Sequence, residues 1–113
     1  MRLVIALLLF LTACTADPGD MAVFERSEAV SRASVGTSIN AATTALLAYG
    51  YKCTPKSGEF VTESGKTASA PSFSMCSRHP TRDPVCVITT EVILVPLSGK
   101  VKEVHFHAGD VCL

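Results

Sequence analysis

The sequence predicts an α+β domain in which one or two N-terminal helices pack on a three- to four-stranded antiparallel sheet, stabilised by disulfides. Three observations carry this. Ile39, Ala42, Leu46 and Tyr49 recur at helical spacing, and Leu47 widens the stripe. Residues 85–107, VCVITTEVILVPLSGKVKEVHFH, hold two runs rich in β-branched residues around a Pro-Leu-Ser-Gly-Lys break. Four of the five cysteines, Cys53, Cys76, Cys86 and Cys112, fall within or beside the expected strands.

In chain order, Arg2 comes first and an uncharged apolar run, residues 3–11, follows. Nine residues are too few to cross a bilayer as a helix, which takes roughly 20. The run is therefore a targeting element. Leu11-Thr12-Ala13-Cys14 then resembles the lipobox of bacterial lipoproteins. That resemblance implies removal of residues 1–13 as a signal peptide and acylation of Cys14. It also implies sorting, because Thr15 stands where lipoproteins kept in the inner membrane often carry Asp, so the outer membrane is the expected destination. The alternatives are an inner-membrane anchor, or a secreted chain in which Cys14 is a thiol. Cysteine arithmetic favours acylation: it leaves an even set of four in an oxidising compartment. Several acyl chains anchor stably where one does not.

Residues 14–21 read as a lipidated tether, because Asp17-Pro18-Gly19-Asp20 is rich in turn formers. Residues 22–113 form a single small domain. Ten basic and ten acidic residues cancel, and no basic stripe appears, which excludes nucleic acid as an expected partner. Residues 22–33 suggest a short helix with Val23, Phe24 and Val30 near one face. Thr37 or Ser38 can cap the next helix, and Gly50 sits where it can end in a left-handed conformation. Tyr51-Lys52-Cys53 leads into a strand. Residues 56–71, rich in Ser, Thr, Gly and Lys, read as a loop with a brief extended piece at 59–62. Residues 72–77 alternate as a strand, and His79-Pro80 and Asp83-Pro84 enclose a turn.

The last hairpin allows a choice of register. A two-residue turn at Ser98-Gly99 pairs residues whose numbers sum to 197, setting Leu94 against Glu103 and Val92 against His105. That mixes apolar and charged groups on both faces. A three-residue loop with Gly99 as a left-handed bulge gives 196, pairing Val92 with Val104 and Thr90 with Phe106. The second register collects Ile88, Val92, Leu94, Val104 and Phe106 on one face, for the helices to cover. The opposite face carries Ile93, Val95 and Val101 near the turn, an apolar group that suggests a partner-binding surface. The other reading is that residues 56–71 fold over it.

Four cysteines allow three pairings. Strand placement favours Cys53–Cys76, and shared parity favours Cys86–Cys112, two residues out of register. No CxxC supports a redox role. His105 and His107 lie on one strand face with Glu103 alongside, and the 196 register sets Glu91 opposite His105. These four are weak candidates for a divalent metal, against a solvated strand face with charge pairs. The sequence carries no GxSxG and no phosphate loop, so no catalytic residue and no cofactor are expected.

The lipobox, the Gly36-Thr37-Ser38 lead into a helix and the SGKVKEV hairpin together resemble small outer-membrane lipoproteins of the SmpA/OmlA type. More loosely, they resemble the fold of β-lactamase-inhibitor proteins. The likeness is one of layout, over residues 36–106. It implies a role in outer-membrane protein assembly; the apolar group Ile93, Val95 and Val101 makes the leading expectation a non-catalytic, membrane-anchored, periplasm-facing interaction module that docks another envelope protein. The other expectations are an inhibitor of an envelope or foreign hydrolase, and a metal-binding protein.

Overall fold

A computed structural model describes residues 18–82 and 86–112. Two helices, α1 (Pro18–Arg32) and α2 (Ile39–Ala48), precede four strands: β1 (Lys52–Val61), β2 (Thr67–Arg82), β3 (Cys86–Leu97) and β4 (Lys100–Cys112). The strands form one antiparallel meander in the order β1-β2-β3-β4. The expected α+β class therefore holds, with the sheet as the larger part.

Helix α2 forms as its capping residues dictate. The Ser38 side chain accepts from the Ala41 amide at the N-cap. At the other end Gly50 takes φ +98°, the Tyr51 amide bonds Leu46 O at 3.0 Å and the Gly50 amide bonds Leu47 O at 3.1 Å. These are the two bonds of a Schellman termination. Helix α1 also forms, but it begins at Pro18, inside the stretch expected as a tether, and its buried face differs from the expected one. Glu25 and Ala29 are buried on it, as is Ala33 just beyond its end, while Val23 and Phe24 are exposed. Small alanines let α1 lie close to the sheet, and the larger apolar pair is left outside.

The stretch expected as a loop, residues 56–71, is instead strand on both sides of a tight turn. The Thr62 amide bonds Lys66 O at 2.7 Å, and Gly65 turns the chain with φ +86°. His79-Pro80 is likewise inside β2, and Asp83-Pro84 lies outside the described residues.

Four strand prolines explain how long strands tolerate residues that cannot donate to a ladder. Pro55 is on the edge strand β1. Pro71 and Ser72 together oppose Ser57, where the β1–β2 register shifts, and His79 and Pro80 oppose Thr89, where the β2–β3 register shifts. Pro96 borders the β3–β4 shift. Edges and bulges are the places a sheet admits proline.

That last bulge corrects the hairpin register. The turn is the two-residue form, with Ser98 at φ +52° and Gly99 at φ +77°. Leu97 pairs Lys100 and Pro96 pairs Val101, a sum of 197; Lys102 is then extra, and from Val95↔Glu103 onward the sum is 198. The turn and the even-sum ladder coexist because the bulge adds one residue between them. The helix-facing set keeps its parity, with Val92, Leu94 and Phe106 buried there and Val104 packed against them. Val101, beyond the bulge, is turned to that same face.

Both expected disulfides are present, Cys53–Cys76 and Cys86–Cys112. Each joins residues directly opposite on neighbouring strands, with Cα atoms 3.9 and 4.1 Å apart. The anticipated two-residue offset at Cys86–Cys112 does not occur, because the 198 register brings the pair level. Loops of 23 and 26 residues give each bridge about 3–4 kcal/mol in the chain-entropy model.

Two cores result, one on each face of the sheet. The helix-side core joins Ala29, Ala42, Leu46, Tyr51, Cys76, Val92, Leu94 and Phe106. The other joins Phe60, Ala70 and Phe73 with Ile93 and Val95.

Candidate functional site

Ile93, Val95 and Val101 do not form an exposed surface. Ile93 is 1% exposed and Val95 6%, both beneath the curled β1–β2 hairpin; Val101, at 1%, belongs to the helix-side core. The bulges that bend β2 swing Phe60 across β2 and β3 to β4, where its ring centroid lies 5.2 Å from that of His105. The alternative reading of residues 56–71 is therefore the one observed, with strands rather than a loop as the cover.

The Glu/His patch is redistributed by the same register. Glu91 faces His107 rather than His105, and His105 faces Ile93. The His107 Nε2–H donates to Val61 O at 2.7 Å, tying edge strand β4 to edge strand β1. A carbonyl oxygen only accepts, so that nitrogen carries the proton. His105 Nε2 lies 3.4 Å from Glu103 Oε1 and is buried without a hydrogen bond. Among the described residues no three His, Cys, Asp or Glu side chains converge on a metal site. Glu91, Glu103, His105 and His107 are thus not gathered into one cluster.

Beside His105 the hairpin turn encloses an open hollow of about 650 Å³, lined by Thr62, Glu63, Lys66 and Thr67 among others. Much of its polarity is used internally. Thr62 Oγ1 is 3.0 Å from Ser64 Oγ and accepts from the Lys66 amide at 3.2 Å. Arg26 of α1 donates to Glu63 through Nε at 2.5 Å and Nη2 at 3.2 Å. This bond, assisted by the charge of Arg26, holds the Glu63 carboxyl below the ordinary carboxylate range. The hollow is thus the seam where the hairpin turn meets α1.

A further polar cluster, without a signal in the sequence, lies between α1, α2 and β2. Glu25 is only 4% exposed and accepts from Arg78 Nη1 at 2.6 Å and from the Tyr49 hydroxyl at 3.4 Å. The guanidinium carbons of Arg32 and Arg78 lie over the Tyr49 ring at 3.9 and 4.3 Å. Arg32 also bonds Glu28. Gly50 makes room: a Cβ there would meet Arg78 Nε at 3.4 Å. The partners are 53 residues apart in the chain, and neither α1 nor β2 carries a pattern that announces them.

Cys14 lies outside the described residues. Among those that are described, no helix is long and apolar enough to cross a membrane. Comparisons with protein-family models, with curated proteins and with solved structures found no match.

Among the exposed apolar residues, Val35 and Leu97 belong to two segments that hydrogen-bond each other. The loop before α2 pairs with the β3–β4 turn: the Gly36 amide bonds Val101 O and the Val101 amide bonds Thr37 O, both at 2.8 Å, and the Ile39 amide bonds Gly99 O at 2.9 Å. Val35 and Leu97, on these two segments, are both exposed.

Proposed function

We propose that this chain is a lipoprotein of the bacterial envelope, anchored through Cys14 to the outer membrane and facing the periplasm, where it acts as a non-catalytic protein-interaction module. The observation that carries the anchoring is the disulfide pattern. Cys53–Cys76 and Cys86–Cys112 account for every cysteine but the one in Leu-Thr-Ala-Cys. An odd cysteine in an oxidising compartment needs a chemical fate, and acylation at that motif provides one. The interaction reading now rests on Val35 and Leu97, because Ile93, Val95 and Val101 are core. Backbone hydrogen bonds fix both segments, so an apolar contact there would lose little conformational freedom on binding.

Two measurements test the parts separately. Labelled fatty acid should be incorporated into the wild type and not into Cys14→Ser; incorporation into both would remove the anchoring assignment. Crosslinking in intact envelopes should capture an envelope protein with the wild type, and capture should fall at least about tenfold for Val35→Asp with Leu97→Asp, the equivalent of 1.4 kcal/mol. Unchanged capture would mean that this end is not the contact.

A further inference from the structure

We propose that α1 lies against the lipid interface of the bilayer that holds the anchor, with Val23 and Phe24 entering the boundary between headgroups and acyl chains. This rests on the reading of Cys14 as acylated and adds a second membrane contact to it. The first observation is the face itself. Val23 is 69% exposed and Phe24 57%, whereas the other apolar side chains described on the helix are half-buried or buried. Helical spacing places Val23, Ser27 and Val30 opposite the buried Glu25 and Ala29, with Phe24 and Ser31 flanking them.

The second observation is charge. Between Met21 and Arg32 the helix has four charged side chains, and all are committed elsewhere: Glu25 to Arg78, Arg26 to Glu63, and Glu28 to Arg32. The Ser31 hydroxyl is satisfied by Glu28 O at 2.9 Å. From Met21 to Arg32 the outward face can therefore approach lipid without stripping water from an unpaired charge. With no basic group free on it, its attraction is to the apolar boundary and does not require anionic lipid.

The third observation is reach. Only Thr15, Ala16 and Asp17 separate Cys14 from the first residue of α1. Four Cα steps span at most about 14 Å at roughly 3.6 Å each. Phe24 is six residues into the helix, about 9 Å further at 1.5 Å per residue. An acylated Cys14 thus keeps this face within a few nanometres of the bilayer, at an effective concentration that lets a small apolar contact persist. The lipid interface is the occupant such a tether supplies.

The chain has no tryptophan, so Phe24→Trp introduces a single reporter, and Leu97→Trp places the same reporter at the hairpin turn. Both variants, acylated, are reconstituted into phosphatidylcholine vesicles containing lipid brominated near the headgroup end of the acyl chains. Trp emission in Phe24→Trp should shift to the blue and lose at least about half its intensity, as for a residue roughly 5–10 Å into the boundary. Emission in Leu97→Trp should stay as in water. Flotation of the wild type, beside Cys14→Ser, reads anchoring alone. Chains that float while Phe24→Trp is unquenched, or is quenched no more than Leu97→Trp, overturn the α1 contact and leave anchoring intact. Wild type that fails to float overturns the anchoring reading, and this proposal with it.

Discussion

Tyr51 and Thr90 show how single polar groups are accommodated inside the helix-side core. Both are almost fully buried, and their hydroxyls are 3.1 Å apart. Thr90 Oγ1 donates to Arg78 O at 3.4 Å, so Tyr51 is the donor of the shared bond. Burial raises the Tyr51 hydroxyl above its ordinary range; the bond to Thr90 opposes this only partly. A group that ionises less readily when folded stabilises the fold below the unfolded tyrosine value, near 10, and loses that contribution as pH climbs toward the folded value. Tyr51→Phe should therefore cost about 1 kcal/mol near neutrality for the lost hydrogen bond. It should also flatten the decline of the urea midpoint between pH 9 and about 11. Tyr49, displaced in the same direction, is present in both proteins, so the difference isolates Tyr51. Parallel declines in the two proteins would show that Tyr51 ionisation does not drive alkaline unfolding.

At the scale of elements, the hairpin between β3 and β4 shows what could be read from the chain and what could not. Alternation of Ile88, Val92, Leu94 and Phe106 required an even sum across the ladder, and the ladder has one. The turn was harder, because Ser98-Gly99 alone implies an odd sum, and only an extra residue at Lys102 reconciles the two. Nothing in Lys100-Val101-Lys102 marks a bulge, which is why Val101 lies on the face opposite to the expected one, while Ile93 and Val95 keep their face and are covered by the β1–β2 hairpin. Residues 56–71 have the composition of a loop, while edge-strand exposure permits the same residues in strands. Leu46 and Gly50 were legible because helix periodicity and capping are local, whereas the partnership of Glu25 with Arg78 is not. The turn itself can be improved. Ser98 holds a left-handed conformation that asparagine tolerates better, so Ser98→Asn should stabilise the protein by up to about 1 kcal/mol in urea denaturation. A loss of stability would mean that the Ser98 hydroxyl contributes more than the backbone preference.

Across the whole molecule, the two cores have different sources of support. The helix-side core is braced by α1, α2 and the Cys53–Cys76 bridge, and it contains the sheet's central residues. The second core depends on the curl of one hairpin, held by Phe60 against Phe73 at a centroid distance of 5.0 Å, by the His107 bond to Val61, and by Arg26 with Glu63. Surface ion pairs such as the last contribute little, so Phe60 is the main attachment. A buried phenylalanine reduced to alanine costs about 3–5 kcal/mol when the whole fold must bear it. Here the hairpin can release without dismantling the other core, because the Cys53–Cys76 bridge still holds its base. Phe60→Ala should therefore speed amide exchange at residues 58–61 and 67–70, while Val92, Leu94 and Phe106 keep their protection. Leu46→Ala, from the helix-side core, should instead lower protection throughout. Uniform loss in Phe60→Ala would show that both cores unfold as one unit, and that closure of the β1–β2 hairpin over the sheet is part of the global transition.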